Sequence, residues 1–330
     1  MKQTILSGLP IKQLSGKNIL ITGASGLIGG ALVDILLSSS AAVEVYALVR
    51  NQARAEQRFA EYRTNPHLHL VLGDVNTPLP TDTHYHYMVH AASNANPNAY
   101  SLDPVGTLWT NINGTHNLLE YGRTHGLERF LYVSSGEVYG NGDNAVWKES
   151  DSGYIDTMSV RSCYPTSKRA AETLCIAYAE QYGIDAVVAR PCHTYGPHFT
   201  DSDNRAYAQF VRKARAHENI VLKSRGEQYR SWIYVADCAT ALLTILLKGE
   251  NKQAYNVADT HSNITIREMA ENIADIAKVQ VVFDIPDAIE QKGYSEIRRA
   301  IFDTTKIEAL GWKPQYTLHE GLRNTIENRL

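Results

Sequence analysis

Between the apolar run Asn18-Ile-Leu-Ile-Thr22 and the helical pattern Ala31-Leu-Val-Asp-Ile-Leu-Leu37, the chain places Gly23, Gly26 and Gly29 at intervals of three. Few folds accept a strand that feeds a helix through such a turn. Gly23 permits the tight turn, Gly26 lets the backbone approach a pyrophosphate, and Gly29 lets the helix pack on the strand. The helix N-terminus then offers free N–H groups to an anion. The pattern predicts a dinucleotide site on an open α/β sheet.

Further along, apolar strand candidates at 43–49, 68–72, 87–90, 130–134 and 186–190 alternate with helical stretches near 27–38, 105–125 and 164–182. Such alternation implies parallel βαβ units and a Rossmann-type doubly wound sheet. The 330 residues exceed the usual size of one core, so a smaller second lobe is expected. Past Pro191 the pattern becomes irregular, with a polar loop at 198–205, a helix from about Ala206 and an apolar Ile220-Val-Leu222. This stretch reads as a C-terminal substrate lobe. Residues 1–15 form an N-terminal extension that either caps the sheet or hangs free.

Composition excludes several classes of function. A formal charge of -3 gives no electrostatic footprint for nucleic acid. No apolar stretch is long enough to span a membrane, and the opening segment lacks a secretory core, so a cytoplasmic location is expected. Cys163, Cys175, Cys192 and Cys238 lack paired metal spacing, so reduced thiols and no metal are expected.

The chemistry centres on Tyr164 and Lys168, one helical turn apart on the same face. An adjacent cation favours a phenolate and makes a proton-transfer pair. Earlier, the strand Phe130-Leu-Tyr-Val ends in Ser134-Ser135-Gly136-Glu137, and strand C-termini are where open α/β sheets bind ligands. For Ser134 the plain reading is a hydroxyl that satisfies loose backbone groups at a strand end.

Taken in order, Gly23-x-x-Gly26-x-x-Gly29, Ser135 and Tyr164-x-x-x-Lys168 resemble the extended short-chain dehydrogenase/reductase superfamily. The likeness is to its nucleotide-sugar epimerase, dehydratase and decarboxylase branch. Supporting blocks are Gly73-Asp74-Val75, Val89-His90-Ala91-Ala92, Asn111-x-x-Gly114-Thr115, Ala189-Arg190-Pro191, Tyr195-Gly196-Pro197, Arg230 through Asp237, Tyr255-Asn256-Val257 and Leu310-Gly311-Trp312. The resemblance implies a dinucleotide domain at 16–190, a nucleotide-sugar lobe mainly at 191–330, and a return of segments near 232–258 to the first domain.

It also implies a cofactor set of Gly23, Ser25, Gly26, Leu27, Ile28, Gly29, Arg50, Asp74, Val75, Ala91, Ala92, Asn111, Tyr164, Lys168 and Pro191. NAD is the expected cofactor. NADP stays open, since Arg50 stands where an acidic residue usually accepts the ribose 2′-hydroxyl. In the implied reaction Tyr164 takes a proton from a sugar hydroxyl while hydride leaves for the nicotinamide, Lys168 holds the charge, and Ser135 bonds the oxygen of the new 4-keto sugar.

Dehydratases of dTDP-glucose carry Asp-Glu where this chain has Gly136-Glu137, so the acid that expels water is missing. A β-keto acid loses carbon dioxide without such an acid, and Glu137 exceeds what a plain 4-epimerase needs. The resemblance thus points to UDP-glucuronate decarboxylase-like members, with 4,6-dehydratase and 4-epimerase as alternatives; the plain reading of Glu137 is a salt bridge. His193, Arg230, Arg298 and Arg299 join Ser135 as substrate contacts, and the partner is a nucleotide-diphosphate sugar. A ketone reductase and a non-catalytic dinucleotide sensor are the readings from other classes. Apolar residues Leu108, Ile112, Leu118, Leu119, Leu174, Ile176 and Ala177 suggest a homodimer through a four-helix bundle.

Overall fold

A computed structural model of the chain describes residues 8–95, 97–285 and 299–330. The first half contains β1 (Asn18–Thr22), α1 (Leu27–Leu37), β2 (Glu44–Val49), α2 (Gln52–Arg58), β3 (Leu68–Leu72), β4 (Tyr87–His90), α3 (Pro97–Leu102), α4 (Pro104–Thr124), β5 (Arg129–Val133) and α5 (Cys163–Tyr182). There follow β6 (Ala186–Pro191), β7 (His193–Tyr195), α6 (Ala206–Arg215), β8 (Ile220–Leu222), β9 (Tyr229–Tyr234), α7 (Val235–Lys248) and β10 (Ala254–Val257). The chain closes with β11 (Asp259–Thr265), α8 (Ile266–Ala277), β12 (Val281–Phe283), β13 (Arg299–Ala300), α9 (Thr305–Glu308) and α10 (Leu318–Ile326).

Seven parallel strands run in the order β10-β6-β5-β4-β1-β2-β3. Ile19, Leu20 and Ile21 of central β1 are buried on both faces, as a parallel strand covered by helices requires. Chain direction across the sheet reverses between β1 and β4, and there the two strand ends are stitched together. Thr22 Oγ1 lies 2.7 Å from His90 Nδ1 and accepts from the Ala92 amide at 3.1 Å. This is the expected doubly wound architecture, with its ligand crevice at the switch point.

Helix boundaries follow local chemistry. Asp103 caps α4 by accepting from Gly106 N at 2.9 Å, and Pro104 occupies the first turn, where no backbone donor is needed. Gly183, at φ 73°, ends α5 in the left-handed region and releases the chain into β6. α2 lies against α1 through an ion pair between Arg58 and the buried Asp34. Apolar nearly throughout, α7 is buried around its circumference and packs against α1. Without an amphipathic period, the sequence of such a segment does not distinguish helix from strand.

A second sheet places β9 between β11 and β13, with β7 also pairing β9, and β12 pairs β8. β10 hydrogen-bonds in parallel to β6, so residues 254–257 belong to the large sheet. In the described part of the N-terminal extension, Ile11 and Leu14 are buried in the main core and Lys248 Nζ donates to the Gly8 carbonyl at 3.3 Å. Residues 8–15 pack on the domain.

Candidate active site

At the turn after β1, Gly23 has φ +64°, and a Cβ there would stand 2.7 Å from Ala92 Cα. Gly29 is equally constrained, because its Cβ would stand 2.4 Å from the Gly23 carbonyl oxygen. Helix and turn therefore touch backbone to backbone. Gly26 caps α1, and a Cβ there would meet just the Gly23 oxygen within 4 Å, so the outer side of the turn is open. The free N–H groups of this eleven-residue helix, with Ser25, Leu27 and Ile28 around them, fit a pyrophosphate.

Beyond β2, Arg50 and Asp74 face each other at 3.9 Å, with the Arg50 side chain largely exposed. Asn111 reaches from α4 to two of its neighbours. Its Oδ1 accepts from Ser93 Oγ and its Nδ2 donates to Ser167 Oγ, both at 2.9 Å. Gly114 lets Val75 approach α4, since a Cβ there would stand 2.8 Å from Val75 Cγ2. Pro191 ends β6 on the same side of the sheet as Ala91 and Ala92.

Tyr164 and Lys168 sit in the first turns of α5, both buried. Lys168 Nζ donates to the Val133 carbonyl at 2.8 Å, under the Tyr132 ring and 5.8 Å from the centre of the Tyr164 ring. Burial lowers the ammonium to about 7, with Glu172 pulling it back up. The Tyr164 phenol is pushed up to about 12, chiefly by burial and then by the charge on Glu137. A Ser135 hydrogen bond and the charges of Arg205 and Arg161 draw it down. The downward pull on the phenol thus comes from Ser135 and two guanidiniums, where the sequence pattern pointed to Lys168. A carbonyl partner and a buried position explain the difference.

This assignment carries a pH signature. Folded Lys168 loses its proton near 7, whereas an unfolded lysine holds it to about 10.4. Between those values the unfolded chain binds more protons, so the stability attributable to this residue rises with pH. Tyr164 acts in the opposite sense, but only above about pH 10, where unfolded phenols begin to ionise. The unfolding free energy of the wild type relative to Lys168→Met should climb between about pH 7 and 9.5. A flat or falling difference in denaturant titrations would contradict a buried ammonium.

Ser135 caps the short 3₁₀ turn Gly136–Tyr139 and accepts from Glu137 N at 3.2 Å. Glu137 makes the salt bridge of the plain reading, with Arg161 Nη2 at 2.9 Å. Gly136 has no room for a side chain, since its Cβ would fall 2.4 Å from Cζ of the Phe302 ring. Ser134 departs from its expected role. Its hydroxyl donates to Glu172 Oε1 at 2.5 Å rather than to backbone, because a buried carboxylate stands one helical turn beyond Lys168. Glu172 also accepts two bonds from Arg190, at 3.0 and 2.7 Å. Arg190 Nη1 reaches the Tyr139 hydroxyl at 3.1 Å, and that hydroxyl donates to Asn256 Oδ1 at 2.5 Å.

On the other side of the cleft, His193 is half-buried with its ring 5.2 Å from the Trp232 ring, and desolvation, then Arg230 and Arg205, hold it near 3. It stays neutral at working pH. Arg230 is buried, and the charge on Glu137 acts on it. Arg299 places its guanidinium over the Tyr229 ring at 5.6 Å; Arg298 lies outside the described residues. Burial raises the Cys163 thiol, which removes it as a nucleophile. Among the described residues no group of three His, Cys, Asp or Glu side chains could hold a metal, and no helix is long and apolar enough to cross a membrane.

Sequence reasoning missed Tyr100, Arg161 and Arg205. Tyr100 stacks on Tyr164 with ring centres 4.8 Å apart, from a helix with no periodic signal of its own. Arg161 stands three residues before Tyr164, and a cation so close to a phenol was the available clue. Arg205 is bound to Asp203 at 2.6 Å, a pair visible in the sequence as neighbours in a polar loop.

A glycine turn on a helix N-terminus, and a buried Tyr and Lys at the end of the fifth strand, define a dinucleotide-dependent oxidoreductase-type centre. Residues 19–258 match the profile of the NAD dependent epimerase/dehydratase family, and the chain belongs to that family. It is 33% identical over 314 residues to UDP-glucuronic acid decarboxylase 6 of Arabidopsis thaliana, covering 93% of this chain and 87% of that protein. With UDP-glucuronic acid decarboxylase 1 of Danio rerio it shares 33% over 325 residues, 96% of this chain and 74% of the other. Among solved structures, a dTDP-glucose 4,6-dehydratase of Streptomyces venezuelae with NAD bound superposes with a TM-score of 0.79 at 26% identity, covering 94% and 95% of the two chains. The UDP-glucose 4-epimerase of Thermotoga maritima shares the fold, with a TM-score of 0.81 at 24% identity and coverage of 94% and 98%.

Proposed function

We propose that the chain is an NAD-dependent UDP-glucuronate decarboxylase that works through a 4-keto intermediate. The observation that carries this choice is Gly136. Where a dehydratase of this branch needs an acid, the Phe302 ring fills the space, so no side chain at 136 can protonate a leaving hydroxyl. Glu137 remains beside Tyr164, and loss of carbon dioxide from a β-keto acid needs no acid to expel water. Relatives named as UDP-glucuronic acid decarboxylases, matched over 93% and 96% of this chain, support the same substrate.

In this reading Tyr164 accepts the proton of the sugar 4-hydroxyl, Lys168 fixes the local charge and Ser135 bonds the developing carbonyl oxygen. Bound NAD supplies the hydride acceptor. For the cofactor the same residues are proposed as from sequence, with Gly23, Gly26 and Gly29 at the pyrophosphate, Arg50, Asp74 and Val75 at the adenosine, and Ala91, Ala92, Asn111 and Pro191 along the crevice. His193, Arg230 and Arg299 are proposed to line the nucleotide-sugar pocket. Residues 16–190 are assigned to the dinucleotide and 191–330 mainly to the sugar nucleotide, with 232–258 contributing to the first.

The test is direct. Purified enzyme given UDP-glucuronate and NAD should release carbon dioxide and form a UDP-pentose. Loss of water from a neutral hexose nucleotide with solvent deuterium at C5, or inversion at C4 without change of mass, would replace this reading by a dehydratase or an epimerase.

Two copies are proposed to pair through α4 and α5. Leu118 and Leu119 face the chain's own sheet and are fully buried, so they take no part. The outer stripe instead carries Val105 and Trp109, 62% and 57% exposed, with Ile112 a turn further on. Such a face on a soluble helix calls for a partner. Trp109→Glu should convert a dimer into a monomer in light scattering at micromolar concentration; a wild type that is monomeric there would refute the pairing.

A further inference from the structure

Four side chains form a continuous line from the reacting phenol to the mouth of the site. The Tyr100 ring stacks on Tyr164 at 4.8 Å and 25°, the Arg161 guanidinium lies 5.1 Å over Tyr100, and Arg161 Nη2 reaches both oxygens of Glu137 at 2.9 Å. One amino group shared between two carboxylate oxygens uses little of what a guanidinium offers. Arg normally meets a carboxylate as a fork, with two parallel N–H bonds. Its remaining donors are thus available for a second acceptor. Exposure points the same way: the Arg161 side chain is 52% exposed, while the two rings beneath it are buried.

Cations gather around this line. Arg161, Arg205 and Arg230 all act on Tyr164 or Glu137. Asp203 pairs with Arg205 at 2.6 Å, and Glu137 pairs with Arg161. Arg230 serves the diphosphate in the reading above. Arg161 is then a cation without a substrate partner, next to the phenol that marks the oxidised carbon. An ion pair this exposed contributes little to the fold. A stacked and pre-oriented guanidinium is better suited to recognition than to stability.

We propose that Arg161, aligned by Tyr100 and Glu137, receives the carboxylate borne by the sugar carbon next to the ring, and so makes the site select uronate over neutral sugars. The inference rests on the decarboxylase reading and deepens it. The Tyr100 ring at 5.1 Å and the bonds to Glu137 at 2.9 Å hold the guanidinium in place, so the anion is held by direction as well as by charge. Glu137 shares the cation with the incoming carboxylate.

Calorimetric titration of the wild type, Arg161→Met and Arg161→Lys with UDP-glucuronate and UDP-glucose separates the possibilities. Loss of a charged bidentate contact should cost Arg161→Met about tenfold to a hundredfold in affinity for UDP-glucuronate. Affinity for UDP-glucose should change less than about threefold, and Arg161→Lys should fall between, since it keeps charge without the fork. Equal losses for both ligands, or an unchanged affinity for UDP-glucuronate, overturn the assignment. Should Arg161→Met melt early, the same comparison is made on Arg161→Lys, whose selectivity must still drop. A wild type that releases carbon dioxide while the variants keep its selectivity defeats this inference alone. A wild type that neither prefers UDP-glucuronate nor decarboxylates it defeats the functional reading and this inference with it.

Discussion

Tyr164→Phe should fold, bind cofactor and lose turnover by at least about a hundredfold. The substitution removes a single oxygen. The ring keeps its stack on Tyr100 at 4.8 Å and its place in the first turn of α5, so neither packing nor the glycine turn changes. What disappears is the group proposed to accept the hydroxyl proton as hydride leaves. Single-turnover assays should show little reduced cofactor on adding substrate, while the melting temperature stays within a few degrees of the wild type. Near-normal turnover would remove Tyr164 from the chemistry and with it the proposed role of Lys168.

The second large effect is on stability. Glu172→Ala should cost about 3–5 kcal/mol, because it strands the Arg190 guanidinium and the Ser134 hydroxyl in a dry interior. Both ion-pair partners are close to nine-tenths buried, at 12% and 13% side-chain exposure, and the geometry is bidentate, so solvent does not screen the loss. Glu172→Gln keeps an acceptor and should lose less. The midpoint of urea unfolding should fall without a change in slope. A loss below about 1 kcal/mol for the alanine variant would place this pair with ordinary surface bridges.

Much of the fold was readable in the sequence, for reasons that differ by element. β1, β5 and β6 announce themselves because a parallel strand buried on both faces is mostly apolar, and α5 because Tyr164 and Lys168 fall one helical turn apart. α2 is a seven-residue helix held by one ion pair between Arg58 and Asp34, and nothing local to its sequence records that pairing. The candidate site divides the same way. Gly23, Gly26 and Gly29 are legible since backbone geometry dictates glycine there. So was the absence of an acid at 136, yet its cause, the Phe302 ring, lies 166 positions away in the chain. Tyr100 and Arg161 join the site through a ring stack and a cation above it, contacts that leave no periodic trace. Ser134 was misjudged because its partner, Glu172, sits 38 residues on.

The buried polar chain behind Lys168 also constrains the order in which the molecule can assemble. Ser134, Tyr139, Glu149, Glu172, Arg190 and Asn256 come from five separate stretches of sequence, and the Tyr139–Asn256 link alone closes a separation of 117 residues. Ser134, Glu172 and Arg190 can pair once β6 is in place, whereas Tyr139 and Glu149 wait for Asn256. Until β10 docks on β6, Tyr139 lacks its acceptor and Glu149 lacks the Asn256 amide at 2.8 Å. A growing chain that has emerged only as far as α7 therefore carries a finished glycine turn and an unfinished interior. Docking of the seventh strand is therefore the step that completes the polar network behind α5.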